Sequence, residues 1–167
     1  MTETAKLKQS DSSNASEVKG IDCIPVHKDE RGEITEIRLN GNFAGALFTT
    51  KKGYARGGES NPSSKSLIQL EGKGVWFLIH PNGKREIVEQ KGSDVLRLAK
   101  DTYHLFVALE DSMFFRGFDS GKFEKPNYHP ELRKYATGEA DTKELIDEYE
   151  KMKLAQVKRP TEPIANS

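Results

Sequence analysis

Cysteine is almost absent from this chain of 167 residues. Cys23 stands alone, which excludes a disulfide scaffold and a zinc site built from several thiolates. An excess of either charge is lacking as well: Lys plus Arg number 26 and Asp plus Glu number 26. Without a basic surplus there is no electrostatic footprint for nucleic acid or for an anionic membrane surface. Long apolar runs are also missing. None approaches the ~20 residues of a membrane span, and the N-terminal residues carry no apolar stretch of the signal-peptide kind. These absences point to a soluble, cytoplasmic, single-domain protein with neither nucleic acid nor membrane as partner. The chain is polar, with 31% charged residues and a mean hydropathy of −0.71. Eight Phe, five Tyr and one Trp still supply a modest core.

What is present is a series of short apolar runs between turn signals. Residues 1–19 are rich in Ser, Lys, Asp and Asn and are expected to form a disordered arm, because they bury too little to offset ordering entropy. The main domain is expected over 20–135, a helix over 139–155 and a flexible tail over 156–167. Inside the domain, Ile34–Leu39, Ala46–Thr50, Leu67–Leu70, Val75–Ile79, Glu86–Val88, Val95–Leu98, Tyr103–Leu109 and Met113–Phe118 read as strands. Asn40-Gly41-Asn42, Arg56-Gly57-Gly58, Glu71-Gly72-Lys73-Gly74, Pro81-Asn82-Gly83 and Lys91-Gly92 read as turns. Asn82-Gly83 carries the strongest hairpin signal, for a type I′ turn with positive φ at both residues. Many short strands at regular spacing indicate an all-β sandwich or small barrel. Near the C-terminus, Asp141 and Glu144 stand at capping-box spacing, and Leu145, Tyr149 and Met152 make one apolar stripe. That stripe predicts a helix from about Thr142 to Leu154, packed on the barrel or against a second subunit.

Three ordered segments resemble the cupin superfamily. They are Asp29-Glu30-Arg31-Gly32-Glu33-Ile34-Thr35-Glu36; Gly53 to Asn61 with the following Lys65 to Gly72; and Gly92 to His104. Tyr128-His129-Pro130-Glu131-Leu132-Arg133 is similar to a tail found in the same group. Within the superfamily these segments look like the sugar-nucleotide branch: dTDP-4-keto-6-deoxyglucose 3,5-epimerases, the related 3,4-ketoisomerases and capsule-sugar cupin domains. The resemblance implies a cupin barrel (a double-stranded β-helix, or jelly roll) followed by a C-terminal α-helix. It also implies a role in carbohydrate biosynthesis and a homodimer formed through exchanged edge strands, which Ile21–Val26 would supply. Motif positions that hold histidine, or histidine or glutamine, in the relatives hold Glu59 and Asn61 here. Lys65 takes the place of a glutamate in metal-binding relatives, and matches a lysine in the epimerases.

The resemblance therefore implies an epimerase-like isomerase acting on a nucleotide-linked keto-deoxysugar, with no metal and no other cofactor. Glu59 and His104 are the catalytic candidates, and Arg31, Arg56, Asn61 and Lys65 the substrate-binding ones. Glu59 suits a base only if apolar neighbours raise its pKa, since an ordinary carboxylate near 4 is a poor base for a carbon acid. On the Tyr103–Leu109 strand, His104, Phe106 and Ala108 share the face that points into the barrel. His104 is thus a buried neutral imidazole bonded to a backbone carbonyl, a ligand-contacting or proton-transferring group, or a metal ligand. Arg31 and Arg56 suit bidentate phosphate contacts. Lys65 reads more readily as a surface charge, Trp76 as core, His27 and His80 as solvated turn residues, and His129 as a weak site candidate. A non-catalytic cupin binding a sugar or small anion, and a metallocupin using Glu59 and His104, are the competing readings.

Overall fold

The computed structural model describes residues 20–157. The arm expected over 1–19 and most of the tail expected over 156–167 lie outside them. Eleven strands run β1 Ile21–Asp29, β2 Gly32–Leu39, β3 Asn42–Thr50, β4 Ala55–Ser60, β5 Lys65–Glu71, β6 Lys73–Ile79, β7 Arg85–Lys91, β8 Val95–Leu98, β9 Tyr103–Ala108, β10 Ser112–Phe118 and β11 Asn127–Tyr128. Helices α1 Pro130–Ala136 and α2 Lys143–Val157 follow. The strands form two antiparallel sheets, ordered β1-β2-β3-β10-β5-β8 and β11-β4-β9-β6-β7. No helix among the described residues is long and apolar enough to cross a membrane.

Period-two alternation sorts the side chains between the sheets. Phe106 and Ala108 of β9, with Trp76 and Leu78 of β6, meet Phe48, Leu67 and Phe114 of the facing sheet in the barrel interior. Leu105 and Val107 face outward, where α1 and α2 cover them with Leu132, Tyr135, Leu145 and Tyr149. The apolar stripe of α2 is thus spent on the barrel's outer wall. Trp76 is core, as its strand implied, and its indole N–H donates to Gln90 at 2.6 Å.

The turns depart from the sequence reading in two places. A type I′ turn does occur, but at Asn40-Gly41, where φ is 51° and 79° between the paired Leu39 and Asn42. At the loop before β7 only Gly83 has positive φ, at 81°, and its N–H donates to the His80 carbonyl. Pro81 sets a longer turn there, with Gly83 in the left-handed position. Second, Arg56-Gly57-Gly58 is no turn but the middle of β4. Gly57 pairs with Leu105 and Glu59 with the adjacent His104, so one residue of β4 is extra. This β-bulge is built on φ values of 99° and 76° at Gly57 and Gly58. A Cβ on Gly58 would stand 2.7 Å from the Arg133 Cα, so only glycine lets α1 dock this closely. Helix α1, short and led by Pro130, has no counterpart in the sequence-based expectations. Asp141 accepts from the Lys143 N–H at 2.9 Å but stands one residue before the N-cap position, Thr142, whose carbonyl takes the first helical bond. Glu144 bonds Tyr135, so the expected capping box does not form.

Candidate functional site

The bulge in β4 decides which side chains reach the barrel interior. A regular strand would turn Arg56 and Glu59 to opposite faces. The extra residue shifts the alternation by one, and both now line a cleft of about 290 Å³ at one end of the barrel. Arg31, His104, Arg116 and Arg133 line it as well, and Trp76 and Phe114 form apolar wall. Four arginines thus stand around it, against the carboxylates of Asp29, Glu59 and Glu124.

The arginines are satisfied to different degrees, and two of them, Arg31 and Arg56, share Asp29. Arg31 Nε donates to Asp29 at 2.8 Å, and its Nη1 reaches the Ala136 carbonyl on α1. Burial opposes ionisation of Asp29, but hydrogen bonds from Arg31 and His27 overcome it and hold the carboxyl well below the ordinary range. Arg133 spans from Tyr128, over whose ring it lies at 4.2 Å, to the Gly57 carbonyl at 2.9 Å. Arg116 Nη1 donates to Glu59 at 2.6 Å while its guanidinium lies over the rings of Phe48 and Phe118. Arg56 is the least satisfied. It is 4% exposed, its Nη2 bonds the Thr49 carbonyl at 3.3 Å and stands 3.7 Å from Asp29 Oδ1, and its Nε and Nη1 have no partner among the described residues.

Behind the cleft wall lies a second group. Lys65 is 1% exposed, which overturns its reading as a surface charge: it shares inward parity on β5 with Leu67 and Gln69. Its ammonium donates to Asn61 Oδ1 and stands 3.4 Å from His104 Nε2. Burial first, then the nearby charge of Arg116, bring its pKa down to about 7. His104 Nδ1 lies 3.1 Å from the Thr102 carbonyl, which assigns the proton to Nδ1 and leaves the Nε2 lone pair toward Lys65. Burial and the Lys65 charge push His104 far below its ordinary pKa, so the imidazole is neutral.

Of the six candidates, Arg31, Arg56, Glu59 and His104 therefore line the cleft, while Asn61 and Lys65 support it from behind. Arg116 and Arg133 went unnoticed in the sequence. Arg116 has a legible signal, since it alternates with inward Phe114 and Phe118; Arg133 has only its place at the end of the Tyr128-to-Arg133 segment. His27 is exposed and bonds Asp29 at 2.7 Å, and His80 bonds Glu86 at 2.8 Å. His129 packs its ring edge against Tyr103, with Nδ1 buried and unpartnered.

No protein-family model matches this sequence, and neither does any curated protein sequence. Solved structures do. A two-residue deletion mutant of oxalate decarboxylase from Bacillus subtilis superposes with a TM-score of 0.58 at 18% identity, over 64% of this chain and 30% of that one. Another structure of that enzyme, concerned with its Mn(II) centres, gives 0.56 at 19% identity, over 61% and 28%. This chain has the cupin fold. It spans less than a third of the length of those neighbours, and at such identities the likeness carries the fold and not the reaction.

A metal such as the neighbour's manganese does not fit the residues present. Among the described residues no three His, Cys, Asp or Glu side chains gather. The donors that lie together are already engaged: His104 Nε2 and Asn61 Oδ1 face the Lys65 amine, and Glu59 Oε1 faces the Arg116 guanidinium. A divalent ion there would have to displace Lys65 and would meet the Arg116 charge in a low-dielectric interior.

Proposed function

We propose that the cleft binds an anionic carbonyl compound, a nucleotide-linked keto-deoxysugar, and that the protein acts on it as a metal-independent isomerase of the epimerase kind. The observation that carries this reading is Arg56. A buried guanidinium with two nitrogens unpartnered among the described residues costs free energy unless an oxygen-rich ligand completes it, and a phosphate oxygen is an acceptor of that kind. Arg31, fixed by Asp29, adds a second positive group on the same rim. The sugar end then lies toward Trp76 and His104. Moving a proton beside a carbonyl needs a base and a means of stabilising the enolate. His104, neutral and with Nε2 free of any backbone bond, supports the first role, and Lys65 the second.

Glu59 is less suited to the base role weighed for it in the sequence, because its Oε1 already accepts from Arg116 Nη1 at 2.6 Å. That same ion pair favours the second reading, a non-catalytic cupin that holds a sugar or small anion.

Thermal unfolding with dTDP and with dTDP-linked keto sugars, coupled to solvent-deuterium exchange, tests both. A ligand at about 100 times its Kd adds roughly 2.7 kcal/mol, or a rise of about 5–10 °C in Tm. The isomerase reading expects that rise together with deuterium at the carbon beside the carbonyl. A rise without exchange selects the binder, and no rise with any of these compounds overturns both nucleotide readings.

A further inference from the structure

We propose that Lys65 is a nucleophilic amine that captures the carbonyl of the cleft's ligand as an imine, with His104 passing the protons. The proposal deepens the reading above and rests on it for the anionic part of the ligand.

The geometry around Lys65 is that of an amine kept from being a stable ammonium. Its hydrogen-bonding neighbours, Asn61 and His104, are both uncharged. The Phe118 ring lies 5.3 Å from Nζ, and the Arg116 guanidinium lies over the same ring at 5.0 Å. The carboxylates that face this interior are otherwise occupied: Glu59 bonds Arg116, and Glu124 accepts from the Ser63 N–H and hydroxyl. The charges of Glu59 and Glu124 oppose the shift, but a buried lysine with a cation beside it and no carboxylate bonded to it among the described residues still favours the free base. The depressed pKa of about 7 agrees, leaving a large share of free amine near neutrality. A methionine would fill the same space without the desolvation cost, so packing alone gives no reason for a lysine here.

The step needs no oxidant or reductant. The Nζ lone pair forms a bond to the carbonyl carbon as the C=O π pair moves to oxygen. A proton leaves nitrogen for His104 Nε2 and passes to that oxygen, giving a carbinolamine. The remaining N–H proton passes through His104 to the hydroxyl, which leaves with its C–O pair as one water while the nitrogen pair closes C=N. His104 lines the cleft and Lys65 Nζ lies 3.4 Å behind its Nε2, so the step requires the lysine stem to swing past the imidazole toward the ligand.

The test uses glycolaldehyde phosphate, a small aldehyde with a phosphate, and cyanoborohydride at pH 7, followed by peptide mass mapping. The proposal expects the reduced adduct on Lys65 at roughly ten times or more its level on exposed Lys28. Excess inorganic phosphate suppresses it, and Lys65→Met, with its folding checked by its unfolding transition, lacks it. Labelling of Lys65 no greater than that of Lys28, in protein that dTDP still stabilises, overturns the imine and leaves the ligand reading standing. Strong labelling of Lys65 that phosphate does not suppress, in protein that dTDP does not stabilise, upholds the imine and overturns the ligand reading.

Discussion

Glu59 and Arg116 meet inside the barrel with 2.6 Å between Oε1 and Nη1, so the carboxylate that lines the cleft is neutralised by the strand across from it. Both side chains are mostly buried. Glu59→Gln strands the Arg116 guanidinium between two phenylalanine rings and is predicted to destabilise the fold by about 3–5 kcal/mol. Adding Arg116→Met to it recovers most of that loss. Urea unfolding of the single and double variants measures both. A single-variant loss below about 1 kcal/mol places the pair in solvent-like surroundings.

Lys65→Met is predicted to stabilise the protein at pH 6 and to lose that advantage as the pH rises. The folded-state pKa of about 7 lies below the ordinary lysine value. Between the two, the unfolded chain holds a proton that the native state has released, so wild-type stability rises with pH by up to about 1.4 kcal/mol per unit. The variant has no such slope at this site. Denaturant unfolding at pH 6 and pH 9 compares them, and a difference that does not change with pH rejects the depressed amine.

Gly58→Ala is predicted to cost at least about 3 kcal/mol, because positive φ strain adds to a backbone clash with Arg133 on α1. Gly83→Ala has similar φ but open space around it, so the backbone penalty of about 1 kcal/mol stands alone. Equal losses in the two variants would show that α1 does not depend on the bulge.

The outer edge of β1 has no strand beside it among the described residues, and it carries Ile21 at 67% and Val26 at 54% exposure. Such an edge invites a second strand. The protein is predicted to form a homodimer through it, and light scattering should return twice 18.7 kDa. Monomer mass across a wide concentration range rules this out.

Much of the fold was legible because one face of nearly every strand is apolar. The inward set His104, Phe106 and Ala108 follows from period two alone, and the α2 stripe from period 3.6. The site was harder to read. Arg-Gly-Gly resembles a turn, and nothing local reveals that His104 and Leu105 across the sheet hold it in a strand as a bulge. Lys65 and Arg116 carry inward parity, but a charged residue in a polar chain looks like surface until its apolar neighbours on the partner strands are known. Helix α1 spans seven residues after a proline, too short for periodicity to register.

The account turns on Arg56 as the anchor for an anionic ligand, and calorimetric titration of dTDP into wild-type protein and Arg56→Met tests that most directly. The predicted result is saturable binding by the wild type that weakens at least about a hundredfold in the variant, since a charge-assisted contact to a buried guanidinium contributes roughly 3 kcal/mol. The unliganded variant should unfold within about 1 kcal/mol of wild type, because the guanidinium is poorly satisfied without its ligand. Equal dTDP affinity in the two proteins, or no binding by either, would contradict it.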